Sequence, residues 1–256
     1  EVKPELAQAK ASEAIAGGVI TTNADNAQMH AAENRTTLIY NDWGDHRVGA
    51  DILCYMTGYN DPRVEKMFLP NDVGDYVGIR IGIDVAGKST AMTKYSNLIV
   101  ESTTPYLWFN AAEATFLRAE YELRWGSEET AQALYEDAIR LSFEERGASG
   151  ADAYIADAAS RPAAYTDPLG NYSAAAQSTI TIAWAPGADN FEENLERIIT
   201  QKWIAIFPLG VEAWSEHRRT GYPRLLPVVA DKSGGGVDVT QGARRLPYPV
   251  EEYQQN

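Results

Sequence analysis

Three histidines, one cysteine and 36 carboxylates carry most of the reactive chemistry available to this 256-residue chain. His30, His46 and His217 are scattered, none falls in a His-Glu-x-x-His helix, and a lone cysteine cannot build a thiolate zinc site. There is no Gly-x-Ser-x-Gly elbow, no Walker-type phosphate loop and no Gly-x-Gly-x-x-Gly, so neither a metal nor a cofactor is expected. Cys54, between Leu53 and Tyr55, reads as a buried core thiol and not as a nucleophile. Glu113 and Glu120 share a helix face about 10 Å apart along its axis, the spacing that invites comparison with a glycosidase pair. A solvated helix face is the expectation for both. Arg218-Arg219 and Arg244-Arg245 read as structural ion pairing.

The aromatic residues point elsewhere. The chain has 14 Tyr, 6 Trp and 6 Phe, and Tyr40, Trp43, Tyr59, Tyr76, Tyr165, Tyr172 and Trp184 fall outside helical stripes. A sugar ring offers an apolar C–H face and a rim of hydroxyls, so a flat aromatic flanked by Asn, Asp or Arg suits it. Tyr40-Asn41-Asp42-Trp43-Gly44-Asp45 is such a cluster. The expected stacking surfaces are Trp43, Tyr40, Tyr76 and Trp184, with Asn41, Asp42 and Arg80 as hydroxyl partners. Trp108, Trp125, Trp203 and Trp214 read as helical core.

The elements that must position these residues are mainly helical. Residues 5–17 have a helix-forming composition ending at Gly17-Gly18. A short helix is expected over 48–57, then a turn at Gly58-Tyr59-Asn60-Asp61-Pro62-Arg63. Residues 64–100, punctuated by glycine, read as loops and extended pieces. A helix is expected from Pro105 to Trp125 and a second from Ser127 to Gly147, with Ser127 as cap and Glu128 and Glu129 favoured by the macrodipole. This hairpin, 105–147, carries Ala119 in its first helix and Ala131, Tyr135 and Ala138 in its second, the small–aromatic–small spacing of a tetratricopeptide unit. One hairpin cannot bury both faces, so irregular segments or further repeats must cover it. A short helix is expected near 151–158. Asn190 with Glu193 suggests a capping box, opening a helix whose face carries Leu195, Ile198, Ile199, Lys202, Trp203 and Ile206. A last helix covers 212–219, and the tail reads as loop.

A formal charge of −14 argues against binding nucleic acid or an anionic lipid surface. No run of 18 apolar residues is present. Glu1-Val2-Lys3-Pro4-Glu5 has no basic or apolar leader region, and the absence of an initiator methionine suggests a trimmed or partial chain. One domain over 1–256 is expected.

Several blocks together resemble the SusD/RagB family: Ile199-Thr200-Gln201-Lys202-Trp203-Ile204-Ala205-Ile206-Phe207, Gly210-Val211-Glu212-Ala213-Trp214, Arg218-Arg219-Thr220-Gly221-Tyr222-Pro223, and the closing Arg245-Leu246-Pro247-Tyr248-Pro249 with Glu252 and Asn256. Gly58 to Arg63 and the hairpin from Ala112-Glu113 to Leu141-Ser142 are similar to the family in the same order. The resemblance implies a mainly α fold of tetratricopeptide-like hairpins with long irregular loops, truncated here at its N-terminus. It implies a non-catalytic, cell-surface glycan-binding lipoprotein of the outer membrane that captures starch-like or other oligosaccharide for a SusC-like TonB-dependent transporter. The only membrane attachment implied is an N-terminal lipid anchor absent from this chain; Cys54 lacks the apolar segment that precedes a lipidated cysteine. Lys202, Trp203, Trp214 and Arg218 would then hold the helical core. The competing readings are a helical-repeat module that binds a peptide or protein partner, and a glycoside hydrolase.

Overall fold

A computed structural model describes residues 3–30, 33–231, 233–240, 242–244 and 248–254. In chain order the elements are α1 (Pro4–Gly17), β1 (Ala27–Met29), a π-helical turn (Leu38–Asp42), α2 (Ala50–Gly58), α3 (Val64–Met67), β2 (Phe68–Leu69), α4 (Lys88–Lys94), β3 (Asn97–Leu98), β4 (Tyr106–Phe109), α5 (Ala111–Trp125), α6 (Glu128–Arg146), α7 (Ala151–Ile155), α8 (Phe191–Ala205), α9 (Gly210–Thr220) and α10 (Val250–Gln254). The strands form two small antiparallel ribbons, β1 with β4 (Ala27 opposite Phe109, Met29 opposite Tyr106) and β2 with β3 (Phe68 opposite Leu98). Among the described residues no helix is long and apolar enough to cross a membrane.

The α5–α6 hairpin is the centre of the fold. Asn110 caps α5 by accepting from the Glu113 amide, Ser127 caps α6 by accepting from the Thr130 amide, and Gly147 ends α6 in the left-handed region. Ala119, Ala131, Tyr135 and Ala138 are all fully buried, so the small side chains bring the two helices together as their spacing implied. Phe116 packs on Tyr135 with ring centroids 6.2 Å apart, and the Tyr135 hydroxyl donates to the Ile182 carbonyl at 2.7 Å. Helix α8 lies across the hairpin with Leu195, Ile198 and Ile199 buried, α7 packs on α6, and α1 rests on α5. The hairpin is therefore covered by these helices and by the 180–184 segment.

The turn between α2 and α3 carries a fully buried polar cluster. Arg63 and Asp61 have no solvent-exposed side-chain surface, and their ion pair is 2.6 Å long. The guanidinium also donates to Ser142 (2.8 Å) and Gln201 (3.1 Å) and lies 4.7 Å from the Phe143 ring centroid. It thus joins α3, α6 and α8 in one group. Gly58 admits the 161–163 segment so closely that a Cβ there would meet the Arg161 carbonyl oxygen at 2.3 Å.

Several expectations are corrected. Helix α5 begins at Ala111, not Pro105, because Tyr106-Leu107-Trp108-Phe109, strand-prone aromatics, pair with β1; Trp108 is 67 % exposed on that ribbon and is not core. Residues 64–100 contain α3 and α4; α4 has no buried residue and so shows no apolar period. Asn190 makes no side-chain cap, since its amide donates to the Pro186 carbonyl and Glu193 pairs with Arg197. The tail carries α10. Arg245, Leu246, Pro247 and Asn256 of the closing block lie outside the described residues.

Glu113 and Glu120 are also corrected: both are buried, not solvated. Lys202 of α8 pairs with Glu113 (3.4 Å), Glu212 (3.3 Å) and Glu216 (3.1 Å). Glu216 pairs with Arg219, which reaches Glu120 at 2.5 Å, and Glu120 also binds Arg124 at 2.8 Å. Burial alone would raise the Glu120 carboxyl, but the Arg219 and Arg124 hydrogen bonds hold it below the usual range. Arg218 instead lies over the Trp214 ring at 4.4 Å.

Candidate functional site

The chain from Leu38 to Asp45 forms a π-helical turn that presents one large aromatic outward. Such turns widen the helix by one residue and re-aim the side chains after them. The Trp43 amide closes it on the Leu38 carbonyl at 2.6 Å, and Gly44 follows at φ +63°. Trp43 is 54 % exposed, and Asn41 and Asp42 beside it are exposed too.

The turn is braced from behind. The Asn41 amide donates to the Val100 carbonyl (3.0 Å), and Asn97 donates to both the Tyr40 carbonyl (3.2 Å) and the Asn41 side-chain oxygen (3.3 Å). Arg47 adds bonds to the carbonyls of Tyr40 (3.3 Å) and His46 (2.6 Å). In front, α4 is tied to the turn by a 2.9 Å ion pair between Lys88 and Asp45, and Met92 Sδ sits 3.0 Å from where a Gly44 Cβ would be. Asn97, Lys88, Met92 and Arg47 were not picked out in the sequence, because the first three reach the turn from a distant part of the chain and Arg47 acts on backbone carbonyls, which no residue pattern marks.

Tyr40, Asn41, Asp42 and Trp43 are brought together by contiguity. Tyr40 is half-buried, packs on the core and has its ring 5.9 Å from that of His46; burial raises its hydroxyl above the ordinary tyrosine range. Tyr76 lies on another segment, half-buried, and lines a small cavity with Leu53, Cys54 and Tyr165. Burial pushes the Cys54 thiol up to about 12, which agrees with an inert core cysteine. Two expected site residues are committed elsewhere. Trp184 is buried against Tyr135 (5.5 Å between centroids), and its indole N–H donates to Glu128 at 3.3 Å. Arg80 is buried and donates to the carbonyls of Tyr172 (2.5 Å) and Pro227 (2.6 Å), clamping two loops. Neither side chain presents a free face to a ligand.

Among the described residues no group of three or more His, Cys, Asp or Glu is placed to hold a metal ion. Glu113, whose carboxyl burial drives up to about 7 against the pull of Lys202, is 2 % exposed and has no access to a substrate.

Comparison with known proteins follows the same lines. The SusD-like family model, described as Susd and RagB outer membrane lipoprotein, matches residues 1–256. The structure is similar to that of a SusD homologue from Bacteroides thetaiotaomicron (TM-score 0.94, 52 % identity, covering 99 % of this chain and 54 % of that one). It is similar to a SusD homologue from Bacteroides uniformis (TM-score 0.92, 45 % identity, 100 % of this chain and 56 % of that one). A chitin-binding SusD homologue from Flavobacterium johnsoniae is similar too (TM-score 0.92, 42 % identity, 98 % of this chain and 54 % of that one). The chain thus spans about half the length of these relatives. No curated protein matches it.

Proposed function

The chain belongs to the SusD-like family of outer membrane lipoproteins, and from that premise we propose that it is the glycan-capturing part of a non-catalytic surface protein. The observation that carries the reading is Trp43, an exposed indole on a braced turn with Asn41 and Asp42 at its side. An indole face supplies the apolar contact for a sugar ring, and the Asp42 carboxylate, with the one Asn41 N–H not given to Val100, supplies hydrogen bonds to its hydroxyls. Fixing the turn beforehand lowers the ordering cost of binding. Tyr76, half-buried on another segment, is retained in the proposal as a second aromatic contact; Trp184 and Arg80 are not.

In this reading the protein, tethered by a lipid anchor, holds oligosaccharide at the cell surface and passes it to a SusC-like TonB-dependent transporter. A few stacked rings give affinities of about −4 to −8 kcal/mol, micromolar to millimolar. The test is isothermal titration of the intact protein, and of this chain, against a panel of soluble oligosaccharides, with product analysis after incubation. Binding without cleavage, lost in Trp43→Ala, supports the reading. Silence across the panel turns it toward a peptide or protein ligand, and cleavage turns it toward a hydrolase.

A further inference from the structure

A polar cavity lies well apart in sequence from the Trp43 turn, along the first two turns of α8. Its volume is about 590 Å³, inside the range of small-ligand sites. Glu193, Glu196 and Arg197 line one wall, the 177–181 segment a second, and Arg161 and Arg224 stand at its sides.

The walls are fixed. Ser178 Oγ donates to Glu196 Oε1 at 2.5 Å and accepts from the Ile180 amide at 3.0 Å, while the Ile180 carbonyl takes the Tyr59 hydroxyl at 3.1 Å. Arg197, 5 % exposed, donates to Asn194 (2.9 Å) and to Thr181 (3.2 Å). The backbone that carries Arg161 is equally held. Asp157 accepts from the amides of Ala159 and Ser160 at 2.8 Å each, and the Ala163 amide donates to the Cys54 carbonyl at 2.8 Å.

The charge is unbalanced in one direction. Three arginines face two glutamates, in a chain whose overall charge is −14. Both glutamates are already engaged, Glu196 by Ser178 and Arg224 (3.3 Å), and Glu193 by Arg197 (3.4 Å). The Arg161 guanidinium is exposed and, among the described residues, has no hydrogen bond or ion pair; the buried Nε of Arg197 has no acceptor. Among the described lining residues the one cation without a counter-charge is therefore Arg161, while the exposed Glu193 carboxylate keeps acceptor capacity at the rim.

We propose that this cavity is a subsite for the carboxylate of an acidic sugar residue, a uronic acid, within the captured oligosaccharide. Arg161 closes on the carboxylate as a two-pronged donor, the geometry for which guanidinium is suited. Arg224 and the hydroxyl-lined 177–181 wall take the ring hydroxyls. The proposal rests on the glycan-binding reading, and adds to it a charge selectivity that Trp43 cannot supply, because an indole face does not distinguish an acidic from a neutral sugar.

The experiment titrates the intact protein with uronic-acid-containing oligosaccharides and with the same oligosaccharides after reduction of the carboxyl to a hydroxymethyl group. The expected result is binding of the acidic form about tenfold or more tighter, an advantage that shrinks with added salt. Arg161→Ala should erase that advantage while leaving the affinity for the reduced form in place, and Arg161→Lys should keep part of it. Equal affinities for the two forms, or an advantage untouched in Arg161→Ala, overturn the subsite while leaving glycan capture standing. No binding to either form, nor to any neutral oligosaccharide, sinks both. Because Arg161 is exposed and unpaired, its removal leaves the fold intact, which a thermal melt of the variant checks.

Discussion

Lys202 of α8 sets its ammonium 3.4 Å from Glu113 of α5, and both side chains are almost without solvent contact. The lysine also faces Glu212 and Glu216 of α9, so three carboxylates converge on one cation. Glu216 is shared with Arg219, but Glu113 Oε2 is left buried with no partner. Lys202 thus pins three helices together and leaves one buried carboxylate oxygen of Glu113 unpartnered.

That acid gives the protein a pH-dependent stability. Burial is the main cause of the raised Glu113 carboxyl, at about 7, with Lys202 only partly opposing it and Glu212 adding to it. The folded state therefore keeps a proton that the unfolded chain has released above its ordinary value near 4.5. Stability falls as pH rises through that window, from about 4.5 to about 7. Glu113→Gln should remove this slope, matching the native protein at pH 5 and exceeding it at pH 8 by about 1–3 kcal/mol. Urea unfolding at the two pH values reads the difference directly, and parallel profiles for the two proteins would show that Glu113 is not the group responsible.

The Asp61–Arg63 pair is tested by removing charge. Neither side chain is exposed, and the guanidinium has further donors committed to Ser142 and Gln201. Asp61→Ala leaves a desolvated cation without its counter-ion and should cost about 3–5 kcal/mol. The double variant Asp61→Leu, Arg63→Met removes both charges and should lose less than the single one. A double variant less stable than Asp61→Ala would mean that the hydrogen bonds to α6 and α8, and not the buried charge, dominate the site.

Much of the fold was legible because its signal is local. The spacing of Ala131, Tyr135 and Ala138, the Ser127 cap and the Gly147 stop are all contained within single elements, and the hairpin formed as they imply. What failed depends on partners remote in sequence. Tyr106 to Phe109 became a strand because β1 is available to pair with it, and Glu113 and Glu120 were internalised because α8 and α9 bring cations to them. The same reason divides the site. Trp43 and its neighbours are contiguous and could be read from the chain, whereas the burial of Trp184 is decided by Tyr135 and Glu128, and that of Arg80 by two distant carbonyls.

Packing within the hairpin can be tested by adding volume. Ala138 is fully buried on the face of α6 that meets its neighbours, where a larger side chain has no space without shifting a helix. Ala138→Leu should cost about 1–3 kcal/mol or more, whereas replacing the exposed Glu129 by Gln should stay within about 0.5 kcal/mol. Equal melting temperatures for the native protein and Ala138→Leu would contradict the close approach of α5 and α6.

Two tryptophans separate binding from stability. Trp43 is 54 % exposed and its turn is held by backbone bonds through Asn97 and Arg47, so Trp43→Ala should change stability by only about 0.5 kcal/mol. Its effect belongs in titrations, where loss of a stacked ring should weaken oligosaccharide binding by about tenfold or more. Trp184 is 9 % exposed, packs on Tyr135 and bonds Glu128, so Trp184→Ala should cost about 3–5 kcal/mol of stability. Below its lowered melting temperature, that variant should bind with native affinity. Measuring both quantities for both variants gives a crossed pattern if the exposed turn is the platform. A Trp43→Ala protein that binds as the native one does, beside a folded Trp184→Ala protein that does not, would move the platform from the π-helical turn to the 180–184 segment.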